Sequence, residues 1–235
     1  MSHPSANRAP TNRARLPLLA ALFTVFALLP AASFAAPRLY DTGPAQDLAL
    51  VRFVNAGPQP LTVHSGAKTS LEVPPTAPVT DYLPARSDAP VTGQWRAGGK
   101  KLPISLRVKA GGQASSVAWP DADGNLAGAS FAEEPAQFDP LRASLAFYNA
   151  DARCTAGLQA ASQGNPAIFE NQAALANARR AVNPVKLVVQ ATCNGRAVEG
   201  TLDLGSLQAG QRYSVFLVPA GKGARLIGLQ DRIAR

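Results

Sequence analysis

The feature that most constrains this chain is a stretch that occurs twice. Ala110–Pro120 and Ala209–Pro219 align at a constant offset without a gap. Each begins with Ala-Gly, carries a serine at the same place (Ser115 and Ser214) and closes on a proline. A repeat that is too long for a solenoid unit and occurs only twice is typical of a duplicated domain. We therefore predict two copies of one β domain, each organised around this strand.

Further matches on either side of the repeat predict short strands and turns. The segment Leu50–Gly57 matches Ser144–Asp151 in sequence, and Val91–Arg96 matches Leu187–Thr192. The dipeptide Asn194-Gly195, which follows the last of these, is the strongest short hairpin signal. Short strands with frequent turns and no helical periodicity indicate a small antiparallel sandwich in each half. The predicted fold class is all-β, with two tandem antiparallel β-sandwich domains that arise by internal duplication and follow a cleavable signal peptide.

The two copies also predict which side chains point into the cores. Val51 and Phe53 match Leu145 and Phe147, and these positions are apolar in both copies. The opposite face of the first strand carries Arg52. Because side chains alternate along a strand, the apolar set is expected to face the core. In the repeated strand the same argument assigns an inward position to Val117, Trp119, Phe216 and Val218.

Proline limits what the stretch between the first matched strands can form. Five prolines lie between Leu61 and Val91, close to short β runs, and they exclude a helix and confine any strand to a sheet edge. Pro103 places the later strand Leu102–Val108 at an edge or a bulge for the same reason. In the second copy, Asn171–Ala181 is predicted as a short helix that has no match in the first.

The first 35 residues are typical of a secretory signal peptide. Three arginines and no acidic residue precede the apolar stretch Leu16–Leu29, which is shorter than the roughly 20 residues of a spanning helix. Ser33 and Ala35 supply the small residues that a signal peptidase requires. We predict cleavage after Ala35 and a periplasmic protein, with an uncleaved N-terminal anchor as the alternative.

This division leaves two domains and a linker. Residues 36–131 are predicted as the N-terminal β-sandwich domain, 132–140 as the linker and 141–235 as the C-terminal β-sandwich domain. The linker contains Glu133, Glu134 and Asp139 next to prolines, and these carboxylates are expected to be solvated.

The cysteines are two, Cys154 and Cys193. In an oxidising exported compartment such a pair is expected to form a structural disulfide. The alternative, a redox pair, lacks the Cys-x-x-Cys spacing that lowers a thiol pKa.

A search for catalytic and cofactor patterns predicts no enzyme. Beyond the signal peptide the only histidine is His64, and Ser65 beside it should point to the other face of the strand. Asp121–Asn125 resembles the start of a calcium loop but lacks the closing glutamate, so a hairpin turn is the better interpretation. We predict no catalytic residue, no metal and no cofactor.

The charge of the chain permits an acidic partner without requiring one. Lys and Arg number 23 against 15 Asp and Glu, a formal net charge of +8. Cations of the second half are candidate contacts to a polyanion, although a solvated basic surface is the alternative. The aromatic residues are few, and those in the predicted strands point inward, so no stacking platform for nucleic acid or sugars is expected. The candidate polyanion contacts are Arg179, Arg180, Lys186 and Arg196.

Three motifs, in order along the chain, resemble the alginate biosynthesis protein AlgF family. They are Leu39-Tyr40, Val51-Arg52-x-x-Asn55-Ala56-Gly57 and Asn183-Pro184-Val185-Lys186. The resemblance covers essentially the whole chain after the signal peptide, and its motifs are structural rather than catalytic. The cysteine pair and the Ala-rich insert before Asn183 depart from the family's pattern.

The resemblance implies a non-catalytic periplasmic accessory or adaptor protein that is required for O-acetylation of an exopolysaccharide. The family's polymer is a polyuronate. The implied partners are a membrane-bound O-acyltransferase and a periplasmic acetyltransferase of the SGNH type. An alternative role is a carbohydrate-binding β-sandwich protein that binds the anionic polysaccharide. A third, an acetyltransferase in its own right, rests only on His64 and scattered serines.

Overall fold

The computed structural model describes residues 48–66, 69–135 and 139–234, and these form strands, turns and bends without a helix. The all-β prediction is therefore confirmed. The signal peptide and the Leu39-Tyr40 motif lie outside the described residues. The strands are β1 (Leu48–Asn55), β2 (Leu61–Ser65), β3 (Thr69–Val73), β4 (Leu83–Arg86), β5 (Val91–Ala97), β6 (Lys100–Leu106), β7 (Gln113–Pro120), β8 (Leu126–Glu133), β9 (Ala143–Asn149), β10 (Ala156–Ala160), β11 (Ala167–Gln172), β12 (Asn177–Val182), β13 (Lys186–Cys193), β14 (Arg196–Ala197), β15 (Leu202–Ser206), β16 (Arg212–Ala220) and β17 (Gly223–Gln230).

The strands form two sandwiches of two sheets each. In the first, inner sheet 1 has the order β4-β1-β7-β8 and packs on outer sheet 1, β3-β2-β5-β6. In the second, inner sheet 2 has the order β12-β9-β16-β17 and packs on outer sheet 2, in which β11, β10 and β13 are followed by β14 and β15, both paired with β13. The two inner sheets have the same topology, strand for strand.

The core of each sandwich contains the side chains that the matched strands predicted. Val51 and Phe53 pack in the first sandwich, where Phe53 meets Trp95 edge to face at 5.7 Å between ring centroids. Leu145 and Phe147 pack in the second. These apolar residues alternate with polar or small ones, and that alternation correctly predicted which face of β1 and of β9 lies in the core.

The inward assignment of the repeated strand is corrected. Val117, Phe216 and Val218 are fully buried, and Trp119 is half-buried beside them, but they belong to a third apolar cluster between the two inner sheets. The sandwich cores take the other face of these strands, with Ala114 and Ala118 in the first sandwich and Val215 and Leu217 in the second. Both faces of β7 and β16 are buried, so apolar alternation alone does not distinguish them.

The inner sheets pack on each other face to face, and both sandwiches belong to one compact unit. At the centre of the junction the ring of Tyr148 stacks on Phe216 at 4.4 Å between centroids and meets Phe131 edge to face at 5.4 Å. The described part of the chain is thus a four-layer stack, with each outer sheet exposed on one side.

One pairing in each inner sheet departs from the predicted antiparallel arrangement. β1 runs parallel to β7, and β9 runs parallel to β16, while the other pairings are antiparallel. A parallel pair needs a long crossover connection, and here the chain passes through the outer sheet between the two strands. Hairpin signals report only strands that follow each other in sequence, so they do not reveal this pairing.

The prediction that the proline-rich stretch contains only edge strands is correct for β3 and β4. It is wrong for β2, which contains no proline and lies between β3 and β5 inside outer sheet 1. Pro84 is in β4 and Pro103 is in β6, and both are edge strands. Proline has no backbone N–H to donate. An edge strand tolerates it because one side of the strand has no neighbour that needs this hydrogen bond.

The predicted helix over Asn171–Ala181 is wrong. That stretch ends β11, turns at a left-handed Leu175 (φ 58°) and enters β12, which pairs with β9 from Asn177 to Val182. The helix propensity of single alanine and arginine residues is a small contribution to the free energy, and the hydrogen bonds between β12 and β9 outweigh it.

Two buried asparagines close the ends of β1 and β9 in the same way. Asn55 donates from Nδ2 to the carbonyls of Gln59 and Val73, at 2.8 and 2.7 Å, and accepts from Gly57 N at 2.8 Å. Asn149 donates to the carbonyl of Cys154 at 2.7 Å and accepts from a backbone N–H two residues on. Each amide thereby ties the end of an inner strand to neighbouring loops.

The disulfide is formed as predicted. Cys154 and Cys193 are bonded, with Cα atoms 5.2 Å apart, and they close a loop of 39 residues. The link joins the entry of β10 to the end of β13 within outer sheet 2. On the chain-entropy model a loop of this length contributes about 4 kcal/mol to the free energy of unfolding.

We expect Asn149→Ala to lower the free energy of unfolding by about 2–4 kcal/mol, because it leaves buried carbonyls without their donor. Urea denaturation followed by tryptophan fluorescence measures the change. Gln208→Ala is the matched control, since its amide is exposed, and it should change stability by less than about 0.5 kcal/mol. Equal stabilities for the two variants would contradict the assigned role.

Candidate functional site

A charged network lies buried at the junction of the inner sheets, and Arg52 is its centre. The residue is 0 % exposed. Its guanidinium donates from Nε to Ser115 Oγ at 2.8 Å, from Nη1 to Asp231 Oδ1 at 2.7 Å, and from Nη2 to Ser214 Oγ at 2.8 Å and Tyr148 OH at 3.0 Å. The two serines that mark the repeat in the sequence therefore bind the same arginine.

Arg179 and Glu133 extend the network. Arg179 donates from Nε to Glu133 Oε2 at 2.6 Å and from Nη2 to Asp231 Oδ2 at 3.3 Å, while Tyr148 OH donates to the other oxygen of Glu133. The charges alternate from Arg52 through Asp231 and Arg179 to Glu133, and their formal sum is zero. A buried charge requires such pairing.

Glu133 corrects the prediction of a solvated linker carboxylate. β8 extends to this residue, inside the stretch predicted as linker, and the side chain is 8 % exposed. The neighbouring Glu134 is exposed and pairs with Lys109 at 2.8 Å, so its solvated position is as expected. Adjacent residues of a strand point to opposite faces, which is why one carboxylate is buried and the next is not.

The aromatic rings around Arg52 complete its surroundings. The guanidinium carbon lies 4.4 Å from the ring centroid of Tyr82, 4.9 Å from that of Phe216 and 5.4 Å from that of Tyr148. Ring faces attract a cation, and the attraction strengthens where water is excluded. The arginine is thus held both by hydrogen bonds and by cation–π contacts with three rings.

The electrostatics of the network keep it ionised. Burial opposes the charge of Arg52, but Tyr148, Tyr82 and Asp231 outweigh it and raise the pKa of the guanidinium above its usual value. Burial also disfavours the charge of Asp231, yet Arg52 and Arg179 lower the pKa of this carboxyl below its usual value. The pKa of Tyr148 is raised, mainly by burial, so its phenol stays protonated and can donate.

A small cleft opens at the end of inner sheet 2, next to the network. We call it the arginine cleft. Its volume is about 200 Å³. Three rim arginines come from neighbouring strands: Arg142 just before β9, Arg180 in β12 and Arg212 at the start of β16. The lining also includes Arg179, Asp139, Ser144 and Gln211.

The predicted polyanion contacts do not form one surface. Arg179 is 8 % exposed and bound within the network, whereas Arg180 is exposed at the arginine cleft. Lys186 is exposed at the start of β13, and Arg196 lines a separate groove of about 810 Å³ beside the disulfide. Of the four, the cleft brings together only Arg179 and Arg180.

Sequence reasoning missed Arg142 and Arg212. Each is an isolated arginine in the sequence, and no local run marks it. The strand register brings them together, because Arg212 pairs with Ser144 across the parallel β9/β16 ladder and Gly210 N donates to Arg142 O at 2.9 Å. Only knowledge of the parallel pairing could have identified the group.

The remaining candidates lie outside the network and the cleft. His64 is half-buried in β2, opposite Ser70, and the hydroxyl of Ser65 donates to the carbonyl of Thr92 at 3.2 Å. Asp121 closes the turn between β7 and β8, where Oδ1 accepts from the N–H groups of Asp123 and Asn125 at 3.0 and 2.7 Å. In the described ranges, no group of three or more His, Cys, Asp or Glu could hold a metal ion.

The described residues contain no helix that is long and apolar enough to cross a membrane.

Acid should destabilise the junction through Asp231. The pKa of this carboxyl is lower in the folded state than in the unfolded state. Its whole contribution to the free energy of unfolding is therefore present above the unfolded-state pKa of about 3.9, and it is lost as the pH falls through the folded-state pKa. We expect Asp231→Asn to lower the free energy of unfolding at pH 7 by about 3–5 kcal/mol and to flatten the dependence on pH below about 4. Urea denaturation from pH 2 to 7 measures both.

Asp88→Asn is the control for this experiment. The pKa of Asp88 is also lowered, chiefly by its hydrogen bond from Arg86, but the pair lies at the surface. An exposed pair contributes little, so this variant should retain the wild-type profile. If Asp231→Asn also retained the wild-type dependence of stability on pH, the junction network would not be the source of that dependence.

The comparisons with known proteins yield weak structural matches and no family. No family model matches the chain. No curated protein matches either. A candidate cell-adhesion protein of Bacteroides uniformis is 10 % identical, with a TM-score of 0.27 over 81 % of this chain and 100 % of that one. A carbohydrate-binding module of family CBM26, from Amy13K of Eubacterium rectale and bound to maltoheptaose, is 12 % identical, with a TM-score of 0.23 over 80 % and 98 %. At these scores neither likeness carries a functional argument.

Proposed function

We propose that this chain is a non-catalytic accessory protein for O-acetylation of an exopolysaccharide, and that it works in the periplasm beside a membrane-bound O-acyltransferase and an SGNH-type acetyltransferase. The observation that supports the proposal is the structural place of Val51–Gly57, the longest of the motifs that resemble the AlgF family. This motif supplies Arg52, the hub of the junction, and Asn55, which closes β1.

The rest of the motif is also structural. A Cβ atom on Gly57 would lie 2.8 Å from Cδ of Pro120, so a side chain here would collide with the end of β7. Such contacts give the residues of the motif structural roles. The likeness therefore concerns the architecture of the inner sheets.

The architecture suits a protein that holds others in place. The junction fixes the two sandwiches in one unit, so surfaces on both halves keep a constant separation. The edge strands β3 and β11 contain no proline, unlike β4 and β6, and their free backbone groups can accept a strand from a partner. A rigid body with two such edges can bind two enzymes at once.

The disulfide supports export. Cys154 and Cys193 are bonded, and structural disulfides persist in oxidising compartments such as the periplasm. This agrees with the signal peptide predicted over residues 1–35.

Deletion of the gene should abolish acetylation of the polymer and leave its synthesis intact. The measurement is the acetyl content per sugar of the secreted polysaccharide, together with its total yield. Unchanged acetylation would overturn the proposal, and so would loss of the polymer itself.

Complementation with His64→Ala distinguishes an accessory protein from an enzyme. This variant should restore acetylation to the wild-type level, because His64 has no role in a non-catalytic protein. Asp231→Asn, which weakens the junction, should restore less. A folded His64→Ala protein that failed to complement would instead assign a catalytic role to this residue.

A further inference from the structure

We propose that the arginine cleft binds a sugar acid, with its rim arginines on the carboxylate and neighbouring polar groups on the hydroxyls. This inference does not depend on the proposed role in acetylation. It rests on the charge, the free hydrogen-bonding groups and the size of the cleft.

The charge of the cleft is unbalanced. The rim cations Arg142, Arg180 and Arg212 face one carboxylate in the lining, that of Asp139. Among the described residues, the guanidinium groups of Arg142 and Arg180 donate only to backbone carbonyls, those of Ala181 and Ile168. Three cations that line one cleft with a single carboxylate repel one another, and an anion in the cleft would relieve the repulsion.

Arg212 is the strongest individual indication of a ligand. It is half-buried, and within the described ranges its guanidinium makes no hydrogen bond or ion pair. A guanidinium presents a planar fork of donors that matches the two oxygens of a carboxylate. The free fork of Arg212, with Arg142 and Arg180 nearby, therefore favours a carboxylate ligand.

Groups that bind hydroxyls line the same cleft. Asp139 accepts from Leu141 N through Oδ1, and among the described residues Oδ2 makes no hydrogen bond. Gln211 accepts from Gln230 through Oε1, which leaves its amide N–H groups as donors. The hydroxyl of Ser144 accepts from Arg179 and can still donate. A ligand that satisfies arginines and these groups together carries both carboxylate and hydroxyl groups.

The size of the cleft limits how much of the ligand it encloses. Its volume of about 200 Å³ is below the roughly 300–1,000 Å³ of pockets for drug-sized molecules. It suits one sugar unit with its carboxylate, and neighbouring units of an oligomer would extend into solvent. An acidic peptide could offer carboxylates but not the ring of hydroxyls, so we assign the cleft to a sugar acid.

Calorimetric titration of the purified protein with tetragalacturonate tests the assignment. We expect binding that weakens as salt is raised, since the contacts are ionic and partly exposed. A neutral glucose tetrasaccharide should not bind detectably. Tetraglutamate and inorganic phosphate, which carry charge without a sugar ring, should bind at least tenfold more weakly.

Substitutions locate the site. The variant Arg142→Gln/Arg180→Gln/Arg212→Gln should raise the dissociation constant for tetragalacturonate at least tenfold. The control Lys101→Gln/Arg107→Gln/Arg232→Gln removes the same charge from exposed positions outside the cleft, and it should stay within about twofold of wild type. Circular dichroism and thermal denaturation of both variants establish that each is folded.

The outcomes that overturn the proposal are distinct. Absence of tetragalacturonate binding, or equal losses in the two triple variants, would remove the cleft as a sugar-acid site. Equal or tighter binding of tetraglutamate would assign the cleft to an acidic protein partner instead. None of these results bears on whether deletion of the gene abolishes acetylation, so the two proposals fail separately.

Discussion

The buried pair of Arg52 and Asp231 determines how the two sandwiches fit together. Removing these charges from water costs several kcal/mol for each ion, and the cost is offset only because hydrogen bonds satisfy the guanidinium and the carboxylate from several sides. Apolar side chains of similar volume often give equal or greater stability. We infer that the network acts chiefly on specificity, because a shifted junction would leave buried charges unpaired.

The burial of the junction explains why the apolar pattern of β7 and β16 led to the wrong assignment of their core faces. A strand buried on one side alternates apolar and polar residues. Although β1 and β9 are covered on both sides, Arg52 and Ser144 on their junction face preserve this alternation well enough to predict the core face. β7 and β16 are covered on both sides, and serines on their junction face bind Arg52. Ser115 and Ser214 therefore resemble exposed positions in the sequence although both are buried.

The fold class, the disulfide, the edge prolines and the Asn194-Gly195 hairpin follow from local chemistry, and each could be predicted. Asn194 and Gly195, for example, both adopt the left-handed backbone that such a turn requires. The junction and the arginine cleft could not be predicted, because they depend on parallel pairings between strands far apart in sequence. Arg179 illustrates the limit: its charge indicated a surface contact, but a partner 46 residues away holds it inside.

The contact between Arg52 and Asp231 joins residues 179 positions apart. A chain that has emerged, on synthesis or on export, only as far as the first sandwich therefore lacks the carboxylate that neutralises its central arginine. Until β17 has emerged, the junction face of inner sheet 1 is exposed, and such a charged and partly apolar surface can bind chaperones or aggregate. Addition of Asp231, directly after β17, therefore completes the junction, and a chain that ends before Asp231 would leave Arg52 without this carboxylate.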